Sequence, residues 1–151
     1  MDKWDSVNDV LDFAISEEEA AAQFYADLAK QMDRPGMREV FATFAKEEIG
    51  HKKKLQAVKA GGEGLEPVEN GVADLKIAEY VIDIEPTADM AYEQALVVAM
   101  KKEKAAFKLY TDLASSTDDP NVRNTFLVLA QEEAKHKLRF EVEYDEMLRD
   151  N

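Results

Sequence analysis

The sequence predicts an all-α protein, a four-helix bundle made of two repeated helical hairpins joined by a long crossover. Three observations predict it. Shifting the chain by 85 residues aligns 18–55 with 103–140 without a gap, and sixteen of the 38 aligned positions are identical, so one supersecondary unit is used twice. Each unit carries apolar residues at three-and-four spacing, interrupted once by a turn and a proline. The two units are separated by the 27 residues from Gly61 to Thr87, far more than a usual helix–helix connection.

In helix 1 the apolar stripe is Val7, Leu11, Ala14, Ala21, Tyr25, Leu28 and Met32. "MDRPG" breaks it, and Pro35 suits the first turn of helix 2. Helix 2 carries Val40, Phe41, Phe44, Leu55 and Val58 and stops at "GGEG". Helix 3 is expected to start after Thr87 as a cap, with Tyr92, Leu96, Ala99, Tyr110 and Leu113 on its stripe. "SSTDDP" ends it, and helix 4 follows from Pro120 with Val122, Phe126, Leu129, Phe140 and Met147. A helix of about 27 residues is roughly 40 Å long. The long connection can return along that length, so that helices 2 and 3 run parallel, and "VADLKIAEYVI" at 72–82 can add a short helix on the way. The single domain, 1–151, thus divides into hairpin 1 over about 5–60, the crossover 61–87 and hairpin 2 over about 88–149.

Composition agrees. Of 151 residues, 46% are hydrophobic and 34% charged, with only six glycines and four prolines, a mix that folds and favours helices. The net charge of −13 argues against a nucleic-acid partner, which would need a basic patch. The densest basic run, "HKKK" at 51–54, balances the acidic stretch before it on the same helix. There is no cysteine, which excludes disulfides, thiolate zinc, iron–sulfur clusters and a cysteine nucleophile. The start "MDKWDSVNDV" lacks the apolar core of a signal peptide, and no apolar run reaches a membrane span. The expected location is the cytoplasm, with no membrane partner.

The chemistry lies in polar residues standing where apolar ones belong. Glu18 is seven residues after Leu11 and seven before Tyr25, and Glu103 holds the same place between Leu96 and Tyr110. Glu48 and His51 are seven after Phe41 and Phe44, and Glu133 and His136 are seven after Phe126 and Leu129. All six point at the core, and His51 and His136 are the only histidines. Burying one unpaired carboxylate costs several kcal/mol, and four together also repel. Two divalent cations would take the cluster from −4 to neutral. A Glu and a His three apart on a helix reach the same or adjacent cations. One Glu from each of two helices plus Glu-x-x-His from each of the other two is a known constellation of di-iron and di-manganese carboxylate bundles. Oxygen-rich donors with some imidazole favour iron or manganese over structural zinc.

Neighbouring repeats are less pointed. Glu47 and Glu132 lie about 100° around the helix from the ligand stripe, as solvated or supporting groups rather than ligands. Tyr25 and Tyr110 are either ordinary core tyrosines with their hydroxyls satisfied, or groups that donate hydrogen bonds to the carboxylates or supply an electron to the site. Asp27 and Asp112 face away. Met32, Met37, Met90, Met100 and Met147 serve packing.

The motifs Glu18-x-x-Ala21-x-x-x-Tyr25, Glu48-x-x-His51, Glu103-x-x-Ala106-x-x-x-Tyr110 and Glu133-x-x-His136 resemble the rubrerythrin branch of the ferritin-like superfamily, over nearly the whole chain. That resemblance implies two iron ions bridged by two of the glutamates, reaction with hydrogen peroxide or dioxygen, and a homodimer. Two departures stand out. Conventional rubrerythrins carry a four-cysteine rubredoxin-like centre; this sequence has no cysteine, so the electron donor is expected to be a separate, rubredoxin-like partner. They also carry a further glutamate three residues after the helix 3 ligand, where this chain has Ala106, leaving a symmetric six-ligand site that also resembles the ferroxidase centres of bacterioferritins. Three functions follow as expectations. The first is a di-iron oxidoreductase of the peroxidase or oxidase type; the second is a ferroxidase that handles iron; the third is a metal-stabilised bundle without turnover.

Overall fold

The computed structural model describes residues 7–61 and 91–149, and among them there are four helices and no strand. We number them α1 (Val7–Gln31), α2 (Pro35–Gly61), α3 (Tyr92–Ser115) and α4 (Pro120–Arg149). The crossover beyond Gly61, with the short helix expected at 72–82, lies outside the described residues, as does Met90. Thr87, expected as the cap of helix 3, lies outside them too; the described helix begins at Tyr92 because Ala91 before it is extended.

The two turns are built alike. Both second helices open on proline, where a missing N–H costs nothing. The Arg38 guanidinium donates to the Met32 carbonyl, and Arg123, 85 residues on, donates to the Thr117 carbonyl at 2.7 Å. Each arginine thus satisfies a carbonyl left over at the end of the preceding helix. At the second turn Asp119 also caps α4, its Oδ1 accepting from the backbone N–H of Asn121 at 2.8 Å and Val122 at 3.2 Å.

Within each hairpin the helices pack closely, α1 on α2 and α3 on α4; the hairpins face each other more openly, α1 against α3 and α2 against α4. Direction follows from the cross-links. Glu18 meets Tyr110 while Tyr25 meets Glu103, so α1 and α3 are antiparallel. Glu48 lies beside His136 while His51 lies beside Glu133, so α2 and α4 are antiparallel too. Helices 2 and 3 therefore run parallel, as a long crossover requires.

The core is split into two apolar layers. One holds Leu11, Leu55, Leu109, Leu113, Phe126 and Leu129; the other holds Tyr25, Leu28, Phe41, Leu96 and Phe140. Each fully buried side chain of this size contributes about 1.5–3 kcal/mol. In the second layer Phe140 stands among aromatic rings, 5.6 Å from Tyr25, 5.8 Å from Phe41 and 5.4 Å from Phe44 between centroids. The six polar positions, one each on α1 and α3 and two each on α2 and α4, fall between the two layers. No helix of the described residues is long and apolar enough to cross a membrane.

Candidate metal centre

Sequence position decides what fills the middle of the bundle. Because Glu18, Glu48, Glu103 and Glu133 continue the apolar stripes, the helices that bury the layers also bury these carboxyls, each at 2% exposure or less. His51 and His136 are buried with them, at 4% and 2%. The structure brings all six expected residues together.

They form two overlapping tetrads. Glu18, Glu48, His51 and Glu133 offer one atom each, all within 4.8 Å of one another; Glu48, Glu103, Glu133 and His136 do the same. Glu48 and Glu133 belong to both. His51 Nδ1 lies 2.7 Å from Glu133, 3.4 Å from Glu48 and 3.5 Å from Glu18. His136 Nδ1 lies 3.1 Å from Glu48 and 3.6 Å from Glu103. The imidazole rings are nearly parallel, 6.1 Å apart.

The six residues stand at ion-pair distances, yet one atom of each lacks an aligned hydrogen bond. Glu18 Oε2, Glu48 Oε1, His51 Nδ1, Glu103 Oε2, Glu133 Oε1 and His136 Nδ1 are buried, and none has a hydrogen-bond partner among the described residues. One orphaned atom on each of six converging residues is the signature of donors arranged for something other than each other, since buried polar atoms are otherwise paired. Four carboxylates and two imidazoles fit a pair of hard or borderline divalent cations.

Electrostatics report the same crowding. Burial, then the charge of Glu48, pushes the Glu18 carboxyl well above the usual range. Burial, then Glu103 and Glu18, does the same to Glu133, and burial with Glu48 raises Glu103. Glu48 goes the other way: burial works against its charge, but the neighbouring His136 and His51 hold it well below the usual range. Burial would lower both histidines, yet Glu18 and Glu48 push His51 up to about 9, and Glu103 and Glu48 push His136 up to about 11. Without cations the site retains protons in their place.

The tyrosines resolve in favour of the carboxylates, and across the seam. Tyr25 of α1 donates to Glu103 of α3, and Tyr110 of α3 donates to Glu18 of α1. Burial and those carboxylates hold both phenols well above their ordinary range, so they stay protonated donors. Sequence spacing placed each tyrosine two turns from the glutamate of its own helix; the antiparallel pairing hands it to the other one.

Glu47 lies off the ligand stripe, as expected, and takes a supporting place that spacing could not assign. Its Oε2 is 2.8 Å from His136 Nε2. Phe44 stacks on the same imidazole at 3.9 Å between centroids. Glu132, the repeat of Glu47, lies instead 3.7 Å from Lys135. Asp27 is exposed and bonded by Gln23 at 2.9 Å. Asp112 lies 3.1 Å from Lys108.

On the side away from the histidines, between α1 and α3, a small cavity of about 30 Å³ touches all four carboxylates. It runs outward past Ala106 to Phe13, Glu17 and Lys102. That volume holds about two water-sized molecules.

A family model described as Rubrerythrin matches residues 9–144. Among solved structures, a Thermotoga maritima protein assigned to the ferritin-like diiron-carboxylate proteins superimposes with a TM-score of 0.78. It is 19% identical, over 94% of this chain and 96% of that one, a likeness of fold. No curated protein matches the chain.

Proposed function

The chain belongs to the rubrerythrin family, and from that membership we propose that it is a non-haem di-iron oxidoreductase that reduces hydrogen peroxide, or dioxygen, with electrons from a separate donor. The observation that carries this reading is the set of six orphaned donor atoms in two tetrads sharing Glu48 and Glu133. Glu18 and His51 would hold one ion, Glu103 and His136 the other, and Glu48 and Glu133 both. Two ferrous ions bound there would supply two electrons at one place, which is what cleavage of the O–O bond of hydrogen peroxide to two waters consumes, with two protons; dioxygen would take four of each, two of the electrons from the donor. The ligand chemistry admits manganese as well.

The rest is the work of the chain's own residues. The two apolar layers shield the centre on either side, which strengthens every charge interaction within it. Tyr25 and Tyr110 orient the terminal glutamates by hydrogen bonds. The cavity over Ala106 leaves an approach to the carboxylates for a molecule of two heavy atoms. These 151 residues hold no cysteine, so a thiolate iron centre that feeds electrons in would lie outside them, and this reading places it on a separate donor.

Ala106 also favours a second reading, iron oxidation for transfer or storage, because it leaves the six ligands symmetric. One experiment separates the two. Protein loaded anaerobically with ferrous iron should hold about two ions per chain. It should be oxidised by one equivalent of peroxide and turn over only with added reductant. Oxidation of many ferrous equivalents per chain would favour iron handling, and a metal content near zero would sink both.

A further inference from the structure

The chain is close to two-fold symmetric around its six donors. Residues 85 apart exchange roles: Glu18 with Glu103, Glu48 with Glu133, His51 with His136, Tyr25 with Tyr110. Both tetrads offer three carboxylates and one imidazole, so direct donors alone would give two equal positions. The layer behind the histidines breaks that equality.

His136 is held on two sides by hairpin 1. Glu47 Oε2 sits 2.8 Å from its Nε2, and the Phe44 ring stacks on its face at 3.9 Å. Among the described residues neither contact has a counterpart at His51. The residue equivalent to Phe44 is Leu129, which has no ring to stack. The residue equivalent to Glu47 is Glu132, which lies 3.7 Å from Lys135 on its own helix; among the described residues no carboxylate approaches His51 Nε2. The cause is legible in one further pair. Lys135 occupies an i,i+3 position from which it can hold Glu132. The equivalent residue on α2 is Gly50, which leaves Glu47 without a cation at that position and able to turn to His136.

We propose that the two metal positions are inequivalent, that the position built on His136 fills first and binds more tightly, and that Glu47 is the positioning residue responsible. The inference rests on the reading of the six donors as metal ligands. An imidazole that ligates through Nδ1 keeps its proton on Nε2. A carboxylate accepting that proton's hydrogen bond fixes the tautomer and ring orientation and makes Nδ1 a better donor, and losing such a partner typically costs 10–100-fold in affinity. His136 Nδ1 already faces Glu48 and Glu103, so the hydrogen bond to Glu47 holds the ring in its ligating orientation before any ion arrives and keeps the proton on Nε2 when Nδ1 gives up its own to the ion. The ring of His51 has no such restraint from α4.

The test is anaerobic titration of the metal-free protein with cobalt(II), followed by its visible absorption and by calorimetry. Wild type should bind two ions in two resolved steps. Glu47→Ala should weaken the tighter step about 10–100-fold and leave the weaker one in place, while Glu132→Ala should move neither. Glu47→Gln, which keeps an acceptor oxygen without the charge, should recover part of the loss. Two changes at 50 and 135 test the cause. Gly50→Lys should reproduce the effect of Glu47→Ala, and a Cβ at Gly50 meets nothing within 4 Å. Lys135→Gly should tighten the weaker step. Two equal steps in wild type would overturn the proposal, as would an equal shift of both steps by Glu47→Ala, or the same loss from Glu132→Ala. A wild type that binds no cobalt would instead refute the metal centre itself, a different and recognisable failure.

Discussion

Tyr25 gives its phenolic hydrogen bond to Glu103, a residue of the other hairpin, although Glu18 lies two turns away on its own helix. The bond and its mirror from Tyr110 to Glu18 tie the hairpins together at the level of the polar cluster. Tyr25→Phe removes the donor and leaves a buried carboxylate oxygen unsatisfied. We expect a loss of about 1–3 kcal/mol in urea unfolding of the loaded protein, and the same for Tyr110→Phe, with two metal ions still bound. A change below about 0.5 kcal/mol in both variants would show that the bonds do not form in solution.

The sharing of Glu48 and Glu133 between tetrads predicts a pattern in stoichiometry. Glu133→Ala and Glu48→Ala should lose both ions and all reaction with peroxide. Glu18→Ala and Glu103→Ala should weaken one ion more than the other. Glu132→Ala, about 100° around the helix from position 133, should keep both ions and the activity. If Glu132→Ala abolished binding and Glu133→Ala did not, the ligand register would be wrong by one residue.

Metal removal should lower stability. A ligand that binds only the folded state adds about 2.7 kcal/mol at a free concentration 100 times its Kd. The midpoint of thermal unfolding should therefore rise clearly on reconstitution with ferrous iron under anaerobic conditions; identical midpoints would contradict a buried site.

The metal-free protein should also become less stable as pH rises. His51 and His136 titrate near 9 and 11 in the fold against 6.5 unfolded. The folded state holds their protons longer, so their contribution is complete below about pH 6.5 and is lost as pH climbs through 9 and towards 11. Glu18, Glu103 and Glu133 are raised as well, so they weaken the fold in the same direction from about pH 4.5 upward. Glu48, held low, contributes oppositely, but its loss is confined to acid below its unfolded value. Denaturant midpoints in chelator should fall from pH 6.5 to 9.5, and loaded protein should lack that fall because cations replace the protons. A flat or rising midpoint in chelator would contradict the charge arrangement.

Most of this architecture is written in periodicity. Stripe positions locate the two apolar layers, and the seven-residue steps from Leu11 to Glu18 to Tyr25 place a carboxyl between them. What periodicity cannot give is the partner across the seam, because it fixes a side chain's direction on its own helix and not which residue arrives opposite. That is why the tyrosine bonds crossed hairpins unannounced, and why Glu47, correctly placed off the stripe, could not be assigned to His136. Phe44 was recognisable as core, but its stacking on a histidine depends on helix rotation. The segment from Gly61 to Thr87 has too little repeat to compare with anything, and the expected helix at 72–82 has no described residues to meet it.

Each hairpin brings one core glutamate and one Glu-x-x-His, and neither can complete a tetrad without the other. In that respect the chain works as two like subunits held on one polypeptide. Two identical hairpins related by a true two-fold axis could assemble the same donors, but any substitution would then alter both metal positions at once. Covalent fusion releases that constraint. Gly50 can stand where its twin is Lys135, and Phe44 where its twin is Leu129, so each half can be tuned by inheritance independently of the other. Sixteen identities in 38 positions record what both halves still need; the other positions are where one ancestral site is free to become two different ones.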